Sequence, residues 1–225
     1  YECRRGALRQ ALLAKYGGDE TSEAAVARAL AWLAAQQRSD GSWSFDSAAG
    51  EPGATAPDVG TLATAPNAAT ALVLLPFVCA GSTQREGEYR RNVMLGVEYL
   101  KRRRVILPEG WGITLHEPES RAMPSHALAT VLFCELCDVS RDKSTREIAL
   151  GLVQFIVASQ NADGGWGTTP PLPGYEPDPS NLHSTGWNVL ALRAAQWVGL
   201  PVPPRCVSRV EGFLDAMAGA DGTEY

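Results

Sequence analysis

Few side chains in this 225-residue chain could carry chemistry. It has three histidines, His116, His126 and His183, and five cysteines, Cys3, Cys79, Cys134, Cys137 and Cys206. Cys134 and Cys137 form a Cys-x-x-Cys, a spacing that suits zinc or a redox pair. They directly follow the apolar run from Ala127 to Phe133, and no second pair exists. The pattern therefore predicts two buried thiols on one helix face. An odd number of cysteines at irregular intervals is not a disulfide framework. The acidic cluster Glu176-Pro177-Asp178 lies in a Pro-rich stretch and reads as solvated surface charge. His126 and His183 each fall at the start of an apolar helical segment, as do Asn67, Ser125, Thr185 and Trp187. These six are the candidate ligand-binding residues, at the mouth of a cavity. Helix N-termini present N–H groups and positive dipole ends, which favour a carboxylate, a phosphate or another acceptor. A histidine in such a place also serves as a cap or a carbonyl partner. No residue is assigned a catalytic role, and the sequence calls for no metal and no cofactor.

The elements that must position these residues are helical. Helix signals cover 4–15, a segment capped by Thr21 or Ser22 that runs to Gln37, 66–79, 87–104, 124–138, 143–160, 184–198 and 206–218. Pro66 and Pro124 suit helix starts, Ser184 or Thr185 suits a cap, and Gly199 suits a stop. Strand signals are weak throughout. Amphipathic helices alternate with nearly all-apolar ones, and a helix apolar on most sides must be covered on most sides. The spacing predicts two concentric layers, with 66–79, 124–138 and 184–198 inside and 24–37, 88–104 and 145–160 outside. Connections from outer to inner helices are long (44–65, 112–123, 167–183), so they gather at one end, where binding loops of repeat arrays reside.

A phrase recurs at the end of each outer helix, at a period on the order of 60 residues, as stacked supersecondary units require. It reads Trp32-Leu33, Gln37, Gly41, Trp43; then Tyr99-Leu100, Arg104, Gly110, Trp111; then Phe155-Ile156, Gln160, Gly164, Trp166. A fourth copy begins at Phe213-Leu214 and reaches Asp221-Gly222 and Tyr225. Gln37, Trp43, Trp111, Gln160 and Trp166 are the structural residues of the repeat. Gln is expected to bond free backbone groups at the helix end, and Gly to permit the left-handed turn there. Each Trp is expected to fold back on the Gln and lie buried between two outer helices.

Gln37-Arg38-Ser39-Asp40-Gly41-Ser42-Trp43 and Gln160-Asn161-Ala162-Asp163-Gly164-Gly165-Trp166 resemble the QW repeat of the squalene-hopene cyclase and prenyltransferase superfamily. Ser184-Thr185-Gly186-Trp187-Asn188-Val189-Leu190 resembles the start of a cyclase inner helix. Asn67-Ala68-Ala69-Thr70-Ala71-Leu72 and Arg85-Glu86-Gly87-Glu88-Tyr89 are most similar to squalene cyclase-like repeat proteins of planctomycete bacteria. The resemblance implies an all-α chain folded as an α/α toroid, a single domain over 1–225. Residues 1–18 would be an N-terminal helix, and about 20–225 would be three and a half repeats. The start at Tyr1 is what a piece of a longer protein would show.

The resemblance also says which chemistry to look for. Class II cyclases protonate an alkene with an Asp-x-Asp-Asp set before Thr-Ala. Here Pro66-Asn67-Ala68-Ala69 precedes Thr70-Ala71, and no Asp-x-Asp-Asp exists. Protein prenyltransferases hold zinc with Asp, Cys and His. Ser42 stands where the Cys would be, and His183 resembles their zinc histidine without its partners. The Cys-Gly-Glu-Gln of complement-like thioester domains, a relative in fold, is absent. The expected function is a toroid that binds a protein segment or an apolar, isoprenoid-like ligand. The alternatives are an isoprenoid-processing enzyme, cyclase or prenyltransferase, with a noncognate or missing site, and a scaffold with no ligand. The net charge of −5, spread without long runs, argues against nucleic acid. The basic run Lys101-Arg102-Arg103-Arg104 reads as a solvated helix end. No apolar stretch reaches transmembrane length and none of these residues reads as a signal peptide; in a longer protein a targeting segment would lie upstream, so no compartment is assigned.

Overall fold

A computed structural model describes residues 6–45, 65–108, 110–115, 122–172 and 178–218. His116, Cys3, Glu176, Pro177 and the fourth copy's Asp221, Gly222 and Tyr225 lie outside them. The elements in chain order are α1 (Gly6–Lys15), α2 (Glu20–Ala35), α3 (Pro66–Cys79) and α4 (Arg90–Arg103). Then come β1 (Arg104–Ile106), β2 (Ile113–Leu115), α5 (Ala122–Ser140), α6 (Lys143–Ala158), α7 (Leu182–Trp197) and α8 (Pro204–Met217). The chain is thus all-α in class, with one two-stranded antiparallel ribbon that pairs Arg104 with Leu115, Val105 with Thr114 and Ile106 with Ile113.

Carboxylates and amides start three of the helices. Asp19 accepts the Ser22 N–H at 2.7 Å, and Ser22 Oγ in turn accepts the Asp19 N–H at 2.9 Å, a reciprocal capping box. Asp142 accepts the Thr145 N–H at 3.1 Å, and Asn181 accepts the Ser184 N–H at 2.8 Å. The caps of α2 and α7 therefore stand one turn before the residues the sequence suggested. Thr21, Ser22, Ser184 and Thr185 occupy first turns instead. Pro66 opens α3 as expected, where its missing N–H costs nothing.

α5 lies between α3 and α7, which pack along its two sides, while α6 covers its back. Ala127, Ala129, Leu132, Phe133, Cys134 and Leu136 of α5 are fully buried, so this helix is the centre of the core. Each large aliphatic or aromatic side chain buried there contributes roughly 2 kcal/mol. Cys134 and Cys137 are free and buried as expected, and burial pushes the Cys134 thiol up to about 12, which leaves it protonated and unreactive. α4 packs on α3, α6 on α5 and α7, and α8 on α7. α4 and α6 carry the expected wet faces, with Arg90, Arg91 and Glu98 on the first and Lys143, Arg146 and Glu147 on the second.

Two expectations fail at the ends of this layer. α3 and α7 are not dry on all sides: Leu72 is 41% exposed, Leu190 43% and Trp197 72%. Among the described residues, each of these helices packs extensively along one side only, against α5. On α2, Trp32 is 55% exposed and Leu30 alone is buried, because that helix meets little besides α3. No helix among the described residues is long and apolar enough to cross a membrane.

Candidate functional site

The junctions between helices carry the polar architecture. In the first, the Trp43 indole N–H donates to the Leu33 carbonyl at 2.7 Å, in the last turn of α2. The Trp43 backbone N–H donates to Thr70 Oγ1 at 3.0 Å, on α3. Gln37 Nε2 donates to the Gly41 carbonyl and to the Asn92 carbonyl on α4, each at 3.0 Å. The third junction repeats every contact. The Trp166 indole donates to the Ile156 carbonyl at 2.8 Å, and its backbone N–H to Thr185 Oγ1 at 3.1 Å. Gln160 Nε2 reaches the Gly164 carbonyl at 2.8 Å and the Cys206 carbonyl on α8 at 3.0 Å. Gly41 (φ 94°) and Gly164 (φ 97°) sit against the Leu95 and Arg209 carbonyls, where a Cβ would collide. Trp43 is 2% exposed and Trp166 0%. The division of labour differs from the expectation. The indole bonds a last-turn carbonyl, which at Leu33 also accepts the Gln36 N–H at 3.2 Å, and the Gln ties the turn to α4 at the first junction and to α8 at the third.

The second junction is built differently. Arg104, in the place of the Gln, is exposed, and its guanidinium donates to the Lys101 carbonyl at 2.6 Å. Trp111 is half-buried beside Phe155, with ring centroids 6.5 Å apart, and does not occupy the position of Trp43 and Trp166. That position belongs to Leu115. Its backbone N–H donates to His126 Nδ1 at 3.4 Å, as the Trp43 and Trp166 N–H groups donate to threonines. Gly112 (φ 76°), not Gly110, is the glycine pressed against a neighbouring carbonyl, that of Gly151 on α6. The expectation of three equivalent buried tryptophans is therefore corrected to two, with a β-ribbon in place of the third.

His126 completes this junction. It is fully buried, and its Nε2 bonds the Leu152 carbonyl at 2.9 Å, so Nε2 carries the proton and Nδ1 accepts. Burial pushes its pKa down to about 4, against a smaller upward pull from Leu152. The imidazole is neutral near pH 7 and both nitrogens are engaged by backbone.

The six candidate ligand-binding residues thus divide. Asn67, Ser125, His126 and Thr185 are buried, and Thr185 and His126 serve as pegs on which the loops hang. The described part of the third loop is knitted over the same end: Asp163 Oδ1 accepts from the Gly165 N–H and Ser180 Oγ, and the Met123 N–H at the start of α5 donates to Thr168. His183 is exposed and Trp187 half-buried. His183, Gly186, Leu190, Arg193 and Trp197 share one helical face of α7, which is open to solvent. On α5 the least covered stripe is Val131, Glu135 and Asp138. Sequence reasoning missed Thr70, Leu115 and Asn92, whose amide donates to Gln37 Oε1 at 2.8 Å. The matching threonines in the two inner-helix starts, Thr70-Ala71 and Thr185-Gly186, were the available signal. Among the described residues no three His, Cys, Asp or Glu side chains converge as a metal site would.

Compared with known proteins, the chain matches no family model, and no curated protein is similar enough to count as a relative.

Proposed function

We propose that this chain is a terpene cyclase- or prenyltransferase-like α/α-toroid domain, or an arc of one, that binds an apolar chain and carries out no isoprenoid chemistry of its own. The ligand is an isoprenoid-like molecule or an apolar protein segment. The observation that carries the reading is the large apolar side chains, Leu72, Leu190 and Trp197, that α3 and α7 leave to water. Where such side chains form one patch, the patch marks a surface used for binding. Val131 on α5 lies between those two helices, and His183 and Trp187 stand where a polar end group would meet the first turns of α7. The sequence supports the absence of the family's chemistry. An alkene needs a strong carboxylic acid in a dry cavity, and Asn67, Ala68 and Ala69 stand where it would be. A thiolate needs zinc, and Ser42 stands where the soft ligand would be; its hydroxyl donates to Asp40 at 2.7 Å.

The test is a titration with farnesol, geranylgeraniol and squalene, followed by quenching of tryptophan fluorescence and by native mass spectrometry. Binding weakened about tenfold by Leu190→Asp or Leu72→Asp is the expected result. No binding, or binding indifferent to both substitutions, overturns it. Incubation with squalene and prenyl diphosphates, with and without zinc and magnesium, is expected to give no product above a boiled control. Turnover would favour the enzyme reading.

A further inference from the structure

The second junction leaves a surface that the other two do not. β1 is exposed along its whole length, with Val105 44% and Ile106 74% exposed, and its outer edge faces no other strand among the described residues. An open strand edge offers N–H and C=O groups to an added chain. Beside it, a cleft of about 370 Å³ lies between the ribbon and the exposed side of α6, lined by Ile106, Gly110, Leu150, Gln154 and Glu147, whose carboxylate is paired with Lys143 at 3.9 Å. A second cleft of about 290 Å³ shares Gly110, Leu150 and Gln154 with the first and runs on to Val157, Pro201 and Pro203. The two form one largely apolar groove. Along α6 from Glu147 to Ala158 it measures roughly 16 Å, which is the length of about five extended residues.

Charge decides what fits. Lys101, Arg102, Arg103 and Arg104 run directly into β1, and Arg102 to Arg104 are exposed. A second copy pairing β1 with β1 would run antiparallel and place the two Arg104 side chains within about a Debye length of each other, with no carboxylate on either strand to offset them. A segment bearing carboxylates meets them favourably. We propose that β1 and the groove on α6 bind an extended acidic peptide segment of a partner protein, added as a strand beside Arg104–Ile106. Its aliphatic side chains lie over Leu150 toward Pro201, and its carboxylates meet Arg104, while the Arg102 guanidinium, which donates to the Asp40 carbonyl at 2.9 Å, adds to the positive field. This surface lies on the opposite side of α6 from α5, and the proposal does not rest on the apolar-ligand reading.

The experiment is selection of a displayed library of random 12-residue peptides on the immobilised chain, followed by anisotropy measurements with the selected peptides. The expected peptides carry at least two Asp or Glu beside a β-branched or aliphatic run. Their affinity is expected to fall about tenfold with Ile106→Glu or Arg104→Glu, and similarly when salt is raised from about 0.05 M to 0.3 M. Both positions are exposed, so circular dichroism and melting of the variants are expected to match the parent. Gln154→Trp, which fills the groove from another element without changing its charge, is expected to weaken binding as well. No enrichment over an uncoated support overturns the proposal. So do peptides without acidic residues, peptides that bind Ile106→Glu equally well, and a dimer of the chain in sedimentation that Ile106→Glu dissolves.

Discussion

The first and third junctions of this chain are copies of one another; the second is not. At the copies, an indole bonds a helix end, a glutamine spans to α4 or α8, and a threonine holds the returning loop. At the second, a β-ribbon and one neutral histidine take over. What is preserved across all three is a backbone requirement: a loop N–H must find an acceptor on the next layer helix, and a glycine must let the turn approach a neighbouring carbonyl. The side chains that meet the requirement are exchangeable. Where they were exchanged, the outer surface gained a strand edge and a groove.

The largest expected effects break the copies. Trp166→Ala and Trp43→Ala each remove a buried ring and its indole bond to a last-turn carbonyl, so each is expected to cost about 3–5 kcal/mol in urea unfolding. Trp111→Ala is expected to cost clearly less, about 1–2 kcal/mol, because that ring is half-buried. Equal losses at the three positions would restore the equivalence that the structure denies.

The glycines sharpen the same comparison. Gly112→Ala, Gly41→Ala and Gly164→Ala each force a Cβ onto a backbone carbonyl and are expected to cost about 2–4 kcal/mol. Gly110→Ala meets open space and carries only the strain of its φ of 88°, about 1 kcal/mol. Thermal melts of the four variants are the check. If Gly110→Ala is the worse of the middle pair, the second junction is in a different register from the one described.

The smallest effects concern the polar ties. Gln37→Ala and Gln160→Ala each leave a part-buried spanning bond unmade and are expected to cost about 1–2 kcal/mol. Arg104→Ala, at the formally matching place, is expected to fall within about 0.5 kcal/mol of the parent.

The all-helical class, all eight described helices and the burial of Trp43 and Trp166 were legible in the sequence, because helical periodicity and Gly or Pro punctuation are local signals. The ribbon was not. Its strands are three residues each, and β1 continues a basic helical stretch whose composition favours more helix. Trp111 misled because the aromatic matched the phrase, although the geometry of Leu115 and Gly112 carries the function. Of the candidate residues, burial separated His126 and Thr185, which hold loops, from His183 and Trp187, which line the open face. No period in the sequence distinguishes those roles, since all fall at inner-helix starts.

His126 stands in place of a threonine peg as a buried, neutral, doubly bonded ring. A ¹⁵N spectrum of the imidazole against pH tests it directly. The expected spectrum shows Nε2 protonated and Nδ1 bare at pH 7, with no change until the pH falls to about 4. Stability should follow with a definite sign. The unfolded chain takes up a proton near pH 6.5 that the folded chain refuses, so the folded state loses ground as pH drops from about 6.5 toward 4, by up to about 3 kcal/mol. His126→Gln should flatten that part of the profile. A ring that titrates near 6.5 in the folded protein, with stability flat across that range, would contradict the account.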